Sequence, residues 1–332
     1  MRQHSANFAN FICHFGEKKV LLDYAEEIVI PAFTRDTYVR SYGNRTHYHF
    51  FEVKLVELSE KKDEPVLGLV GRYIKDTELT RHQIFDQKQG LVKDEQKMRS
   101  APSAFFLLIL NNHRLVYFPE TPHAPDLNSF RATAENFLKK RHAEFLFERK
   151  SALAEEGEKV TKKSLAETHP SPTLEVIPLT GKDNIARFVA RYEILKRIDF
   201  RLVRPNDEDI DAGEILGQVR AFSDGLNSAK TKISASNSDG LDKDASIEAV
   251  TAATDTGNQD VKLSGVDADG NKLSGNNEIF QISALVENIP PSDRGLGAKL
   301  YDIYQNLRYS GSIQAPDMNG TLDKIKRLTR LL

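Results

Sequence analysis

The chain has 332 residues, 39% of them apolar and 28% charged, a composition that suits a folded globular protein long enough for two cores. Its 46 basic and 48 acidic residues leave a formal charge of -2, so no general field for nucleic acid exists and any such binding has to use a local patch. A single cysteine, Cys13, excludes an intrachain disulfide and a zinc site built on cysteines.

The N-terminal stretch carries only a short apolar run around Phe11 to Phe15, without a signal-peptide core, and no window approaches the roughly 18 to 20 apolar residues of a membrane span. The expectation is a cytoplasmic chain with no membrane span. Alternating apolar and polar positions predict strands at 8–15, 48–58, 66–74 and 104–110. Between the first two, Val20, Leu21, Tyr24 and Ile28, ended by Pro31, predict a helix that closes onto the sheet. Gly68 and Gly71 read as relief of crowding or a strand bulge. Residues 104–110 and 114–118 form a predicted hairpin through Asn111, Asn112 and His113, because Asn tolerates positive φ; its first strand is apolar throughout and belongs in the centre of a sheet. Asp126 is the expected N-cap of a long helix whose Phe130, Ala134, Phe137, Leu138 and Phe145 recur at helical spacing.

Residues 151–172 are charged, end in Thr-His-Pro-Ser-Pro and read as a linker between an N-terminal domain (1–150) and a C-terminal one (173–332). In the second domain a strand at 174–179, a helix at 184–192, a strand around Ile198 and a helix at 207–222 are predicted. Residues 223–260 are rich in Ser, Asn, Asp, Ala and Gly and read as a long polar loop, with a helical hint at Ile247, Ala249 and Val250. A hairpin follows, from 261–266 through the turn at Asp269-Gly270 to a strand at 279–286, then helices at 296–309 and 321–332, the last one basic and amphipathic. The expected fold class is α+β, with two domains that are each a mainly antiparallel sheet with packed helices.

The sequence contains no G-x-G-x-x-G, G-x-x-x-x-G-K-[ST] or G-x-S-x-G, and the expectation is no cofactor and no nucleophile–base pair. Asp267, Asp269, Asn271 and Glu278 match four positions of a calcium loop, but Lys272 stands where that loop needs glycine, so a plain turn is expected. Asp207, Glu208, Asp209, Asp211 and Glu214 suit either a divalent-metal nuclease site or the first turn of a helix entered at Pro205-Asn206. His47 and His49 share a strand face and join His14 in a conceivable zinc set; surface histidines are the simpler account. No catalytic or metal-binding residue is therefore assigned. Candidate phosphate-binding cations are Arg72, Lys75 and Arg81 near the first sheet; Lys139, Lys140 and Arg141 on the long helix; Arg201 and Arg204; and Lys324, Lys326, Arg327 and Arg330 at the C-terminus.

The order of elements from Ile198-Asp-Phe-Arg-Leu-Val-Arg-Pro-Asn206, through the polar stretch, to Val261–Pro290 with its strand-DxxG-strand segment resembles the Rex exclusion protein of temperate phages and uncharacterised defence-associated bacterial relatives. That resemblance implies a cytoplasmic, dimeric DNA-binding protein that senses phage infection or acts against it. The leading expectation is a non-enzymatic phage-defence protein, a homodimer, that binds DNA or a partner protein. A metal-dependent nuclease using residues 207–214 and an oligomeric scaffold without nucleic-acid binding are the alternatives.

Overall fold

The computed structural model describes residues 4–59, 63–206, 213–226, 228, 230–314 and 320–332. The chain opens with strands β1 (Ser5–Phe15) and β2 (Lys19–Val20) and a helical stretch made of a 3-10 turn (Leu21–Tyr24), a π-helical turn (Ala25–Val29) and α1 (Ile30–Thr34). Next come β3 (Arg40–Tyr42), β4 (Thr46–Glu57), β5 (Leu67–Asp86), β6 (Gly90–Ser100), β7 (Ser103–Ile109), β8 (Arg114–Pro119), α2 (Leu127–Glu155) and α3 (Lys162–Thr168). The second half holds β9 (Pro172–Pro178), α4 (Lys182–Val189), β10 (Ile194–Leu202), α5 (Gly213–Gly225), β11 (Thr231–Ser236), α6 (Lys243–Thr254), β12 (Gln259–Val266) and β13 (Lys272–Asn276). It ends with α7 (Asn277–Phe280), β14 (Ser283–Leu285), α8 (Asp293–Tyr309) and α9 (Leu322–Leu328), followed by a 3-10 turn. The fold is α+β.

The larger sheet is antiparallel and runs β14-β1-β8-β7-β5-β4-β3, with β2 and β9 also paired to β1 and β6 to β5. Its middle strands are apolar at nearly every position because helices cover both faces. On one side Phe106 and Leu108 of β7, Leu115 and Tyr117 of β8 and Phe11 of β1 pack with Phe33, with Phe130 and Phe137 of α2 and with Ile325 of α9. On the other, Phe105, Leu107, Val116 and Phe118 meet Leu296, Leu300 and Tyr304 of α8. Gly71 sits where β4 carries a bulge; a Cβ there would lie 2.8 Å from the Cα of Val53, so the strand pair closes only around glycine. Asp126 caps α2 by accepting the Ser129 amide at 2.7 Å. Asp126→Ala is expected to lower the stability of the fold by about 1 kcal/mol in urea titrations, with the far-UV helix signal retained.

Several elements depart from their expected form for identifiable reasons. The β7–β8 turn takes its positive φ at His113 (55°) rather than at an asparagine; Asn111 instead accepts from the Leu67 amide and donates to the Pro65 carbonyl, both at 2.9 Å, tying the turn to the start of β5. β5 does not end near Ile74 but continues to Asp86 and returns as β6, a ribbon whose faces are both open to solvent and so carry no burial period.

The expected linker at 151–172 and the split into 1–150 and 173–332 do not describe this topology. Residues 151–155 finish α2 and Lys162–Thr168 form α3, while β9 pairs with β1 from Ala9–Pro178 to Phe15–Pro172. β14, α8 and α9 likewise complete the first sheet and its helical layers. The charge of this stretch lies on exposed helix faces, with Leu165 turned inward. The loop expected at 223–260 is also replaced, by β11 and α6. α6, which contains the hinted Ile247, Ala249 and Val250, buries mostly small residues (Ser246, Val250, Ala253 and Thr254), and β11 buries none. Finally, β12 turns into β13 at 272–276, and the stretch 279–286, expected as its partner strand, holds part of α7 and β14.

Candidate nucleic-acid interface

The smaller sheet is antiparallel in the order β11-β10-β12-β13. Strand alternation sorts its side chains into two faces. Inward, Ile198, Val261 and Leu263 join Ile185, Phe188 and Val189 of α4, Val250 of α6 and Phe280 of α7 in a separate core. Gly265 allows β12 to pass the register shift of β10, since a Cβ there would lie 2.1 Å from the Ile194 carbonyl oxygen.

Outward, the register aligns Arg197, Asp199 and Arg201 of β10 with Ser236, Ser234 and Lys232 of β11 on one side, and with Ser264, Lys262 and Asp260 of β12 on the other. Ser274, Asn276 and Lys272 of β13 extend the rows. This face thus carries Arg197, Arg201, Lys232, Lys262 and Lys272 against Asp199 and Asp260, with serine and asparagine between them. All of these positions except Asp199, at 9%, are exposed or half-buried.

The central carboxylate organises the cations around it. Asp199 receives Arg197 Nε at 2.9 Å and Lys232 Nζ at 3.3 Å and accepts from the Ser234 hydroxyl. Burial alone would raise its pKa, but the Ser234, Arg197 and Lys232 donors outweigh it and hold the carboxyl below its usual range. Arg201 is shared between Glu175 at 2.9 Å and Asp260 at 3.2 Å at the edge of the face. There the sheet borders a cleft of about 530 Å³ lined by Asn128, Arg131, Glu175, Arg201, Lys230 and Asp260. A flat array of amines, guanidinium groups and hydroxyls can contact phosphate oxygens, while the absence of an aromatic side chain from its strand positions leaves nothing for bases to stack on.

The chain matches the family model described as Domain of unknown function (DUF4747) over residues 32–284, from α1 through the whole of the smaller sheet to β14. It belongs to that family. No curated protein matches the chain.

In this DUF4747 chain the cations expected from sequence do not converge. Only Arg201 lies on the open sheet face. Arg72 joins Glu120 at 3.1 Å and Asp293 of α8 at 2.8 Å, a clamp between β5 and α8. Lys75 is half-buried on β5, and Arg81 is held by Asp94 across the β5–β6 ribbon. On α2, Lys139 pairs with Glu135, Lys140 sits 4.4 Å from the Tyr38 ring centroid, and Arg141 is buried, donating to the Glu27 carbonyl and to both oxygens of Glu148. Arg204 donates to the Glu17 carbonyl. At the C-terminus Lys324 pairs with Asp23 at 2.7 Å and Arg330 with Glu26 at 2.5 Å, while Arg327 donates to the Asp323 carbonyl within its own helix and Lys326 lies on the exposed side of α9. Most of these side chains hold elements of the fold together instead of facing a ligand.

Arg197, Lys232, Lys262 and Lys272 were missed. Their signal is present in the period-two pattern: each is the outward partner of an inward aliphatic in a short strand.

The other candidate chemistry separates as well. His14, on β1, meets the Arg204 carbonyl oxygen at 3.1 Å, and β8, β7 and β5 stand between it and His47 and His49 on β4, so the three imidazoles do not form one site. Ser41, His47 and Asp76 occupy one row across β3, β4 and β5. Ser41 Oγ lies 3.0 Å from His47 Nδ1, however, and Asp76 accepts from Arg99 at 2.8 Å, an order unlike the serine–imidazole–carboxylate relay, in which Nδ1 faces the acid. Asp267 Oδ1 accepts from the Asp269 and Asn271 amides, which makes this segment a tight turn with Gly270 at φ 80°. Of the acidic cluster, residues 207–212 lie outside the described residues. No described helix is long and apolar enough to cross a membrane.

Proposed function

We propose that this protein is a non-catalytic nucleic-acid-binding module of phage defence whose contact surface is the outward face of the four-stranded sheet, with DNA bound through its phosphates. One observation carries this reading: in a chain of net charge -2, an antiparallel sheet face left open by the described elements holds five cations against two carboxylates. The phase of β10, β11 and β12 sets these charges on one plane, and the interleaved serines and asparagines add neutral donors. Binding of this kind is independent of sequence and falls as salt rises, because each phosphate contact releases a counterion. The phage-defence setting comes from the layout of residues 198–290 and forms part of the proposal.

The test is duplex binding by fluorescence anisotropy at about 50 and about 200 mM salt. With about four phosphate contacts the unmodified chain should lose roughly 100-fold in affinity over that interval. Lys232→Glu with Lys262→Glu should weaken binding at the lower salt by about tenfold or more and reduce the log–log salt slope by about 2, whereas Lys139→Glu on α2 should leave both unchanged. Equal binding by the double variant, or no binding at about 50 mM salt, would overturn the assignment.

A further inference from the structure

The β5–β6 ribbon leaves the main sheet at Thr77, where pairing with β4 ends, and runs to the Asp86–Gly90 turn and back to Ser100. Ten residues of paired strand reach about 33 Å. Isolated two-stranded ribbons are marginal in water, and this one carries large apolar side chains in the open: Leu79 is 48% exposed, Met98 62%, Phe85 73% and Leu91 69%.

The placement of those four is ordered. Leu79, Arg81, Gln83 and Phe85 alternate onto one face of β5, and their cross-strand partners are Met98, Gln96, Lys93 and Leu91, with β6 taking one extra residue in a bulge between Gln96 and Lys93. From base to tip this face reads apolar pair, two polar pairs, apolar pair. Such a pattern is its own complement when reversed. A two-fold axis lying between two arms and perpendicular to them brings Leu79 against Phe85 of a second copy and Met98 against Leu91, with the polar pairs in the middle. The centre adds no bare charge, since Arg81 already holds Asp94 and Lys93 holds Glu95 at 3.3 Å. Glu78 and Asp76 pair with Lys97 and Arg99 at the base, so the arm offers neither a basic stripe for phosphate nor an acidic one for a basic partner.

We infer that the arm is a self-association device that pairs face to face with the same arm of a second copy of this chain. The inference does not rest on the nucleic-acid reading, because the arm and the open sheet face share no residue. A contact of this size belongs to the weak class and gives a micromolar dimer.

Sedimentation of the full chain from about 1 to about 200 µM should show a monomer–dimer equilibrium, and Phe85→Asp with Leu91→Asp should leave a monomer across that range with an unchanged circular dichroism spectrum. Cys13 is fully buried, so engineered thiols report alone. Leu79→Cys combined with Phe85→Cys should form an interchain disulfide under mild oxidation, and Leu79→Cys by itself should not, because reversed arms hold the two copies of residue 79 about 20 Å apart. A chain that stays monomeric at the highest concentration, a dimer indifferent to the two aspartates, or equal cross-linking by the single thiol would each overturn the inference. Duplex binding by the Phe85→Asp, Leu91→Asp variant separates the two readings: retained binding with lost dimer supports both, and lost dimer in a chain that never bound DNA refutes only the sheet face.

Discussion

Replacing Phe130 with alanine is expected to remove about 3 to 5 kcal/mol of stability. Phe130 is fully buried on the inner face of α2, and its ring lies 5.2 Å from that of Phe106, 5.4 Å from Phe50, 5.5 Å from Tyr73 and 5.7 Å from Tyr117, mostly edge to face. Those partners come from β7, β4, β5 and β8, so one side chain ties the helix to four strands of the main sheet. Truncation therefore deletes transfer energy and opens a cavity that rigid aromatic neighbours cannot fill by turning. Edge-to-face contacts add about 0.5 to 1.5 kcal/mol per pair beyond area, and these are lost together. Phe147, 73% exposed on the same helix, is the internal control: Phe147→Ala should change the urea midpoint by less than the equivalent of about 0.5 kcal/mol. Similar midpoints for the two variants would show that α2 is not anchored by the aromatic cluster.

The same helix explains what was legible in the sequence. Phe130, Ala134, Phe137 and Leu138 recur at a helical period beneath a capping aspartate, and every one of them is buried. The β7–β8 hairpin was equally plain, since an unbroken apolar strand has to be covered on both faces. Failures concentrate where burial does not write a period. The β5–β6 ribbon is exposed on both sides, and α6 buries serine, alanine and threonine beside one valine, so the first produces no apolar repeat and the second only the helical hint at Ile247, Ala249 and Val250. The misplaced boundary has another origin. Local composition at 151–172 cannot reveal that β9 returns to pair with β1, a contact between residues more than 150 positions apart.

The candidate face was half legible. The alternation of Ile198, Phe200 and Leu202 with Asp199 and Arg201 predicts the strand and its outward charges, but by composition the partner strands resemble a loop and a hairpin with a different second arm. Once β11 and β12 flank β10, Lys232 and Lys262 fall beside Arg201 and Asp199 without further assumption. Runs of adjacent cations proved the poorer guide: Lys139, Lys140 and Arg141 point in different directions around a helix, and Arg141 is consumed by Glu148. Cations spaced by two in separate strands share a plane, whereas neighbours along a helix do not.

Acid should destabilise the protein through His113. The ring sits in the β7–β8 turn, 1% exposed, and neither nitrogen has a hydrogen-bond partner among the described residues. Burial, then the charges of Arg114, His14 and Lys324, push its pKa down from 6.5 to about 3. In the unfolded chain the imidazole takes up a proton near pH 6.5, so between the two values the unfolded state binds more protons. Stability is then fully present above pH 6.5 and is lost as pH falls toward 3, with a slope approaching 1.4 kcal/mol per pH unit and a total of about 3 kcal/mol by pH 4. His142 and His169 are shifted in the same direction by burial and contribute over the same interval, so the readout is a difference between variants. His113→Asn suits the test because asparagine accepts the left-handed φ of 55° that this position requires. Urea unfolding at about pH 7, 5.5 and 4.5 should show the two chains diverging at high pH and converging as acid removes the advantage of the neutral imidazole. Parallel stability curves over that interval would show that His113 does not enter the fold uncharged.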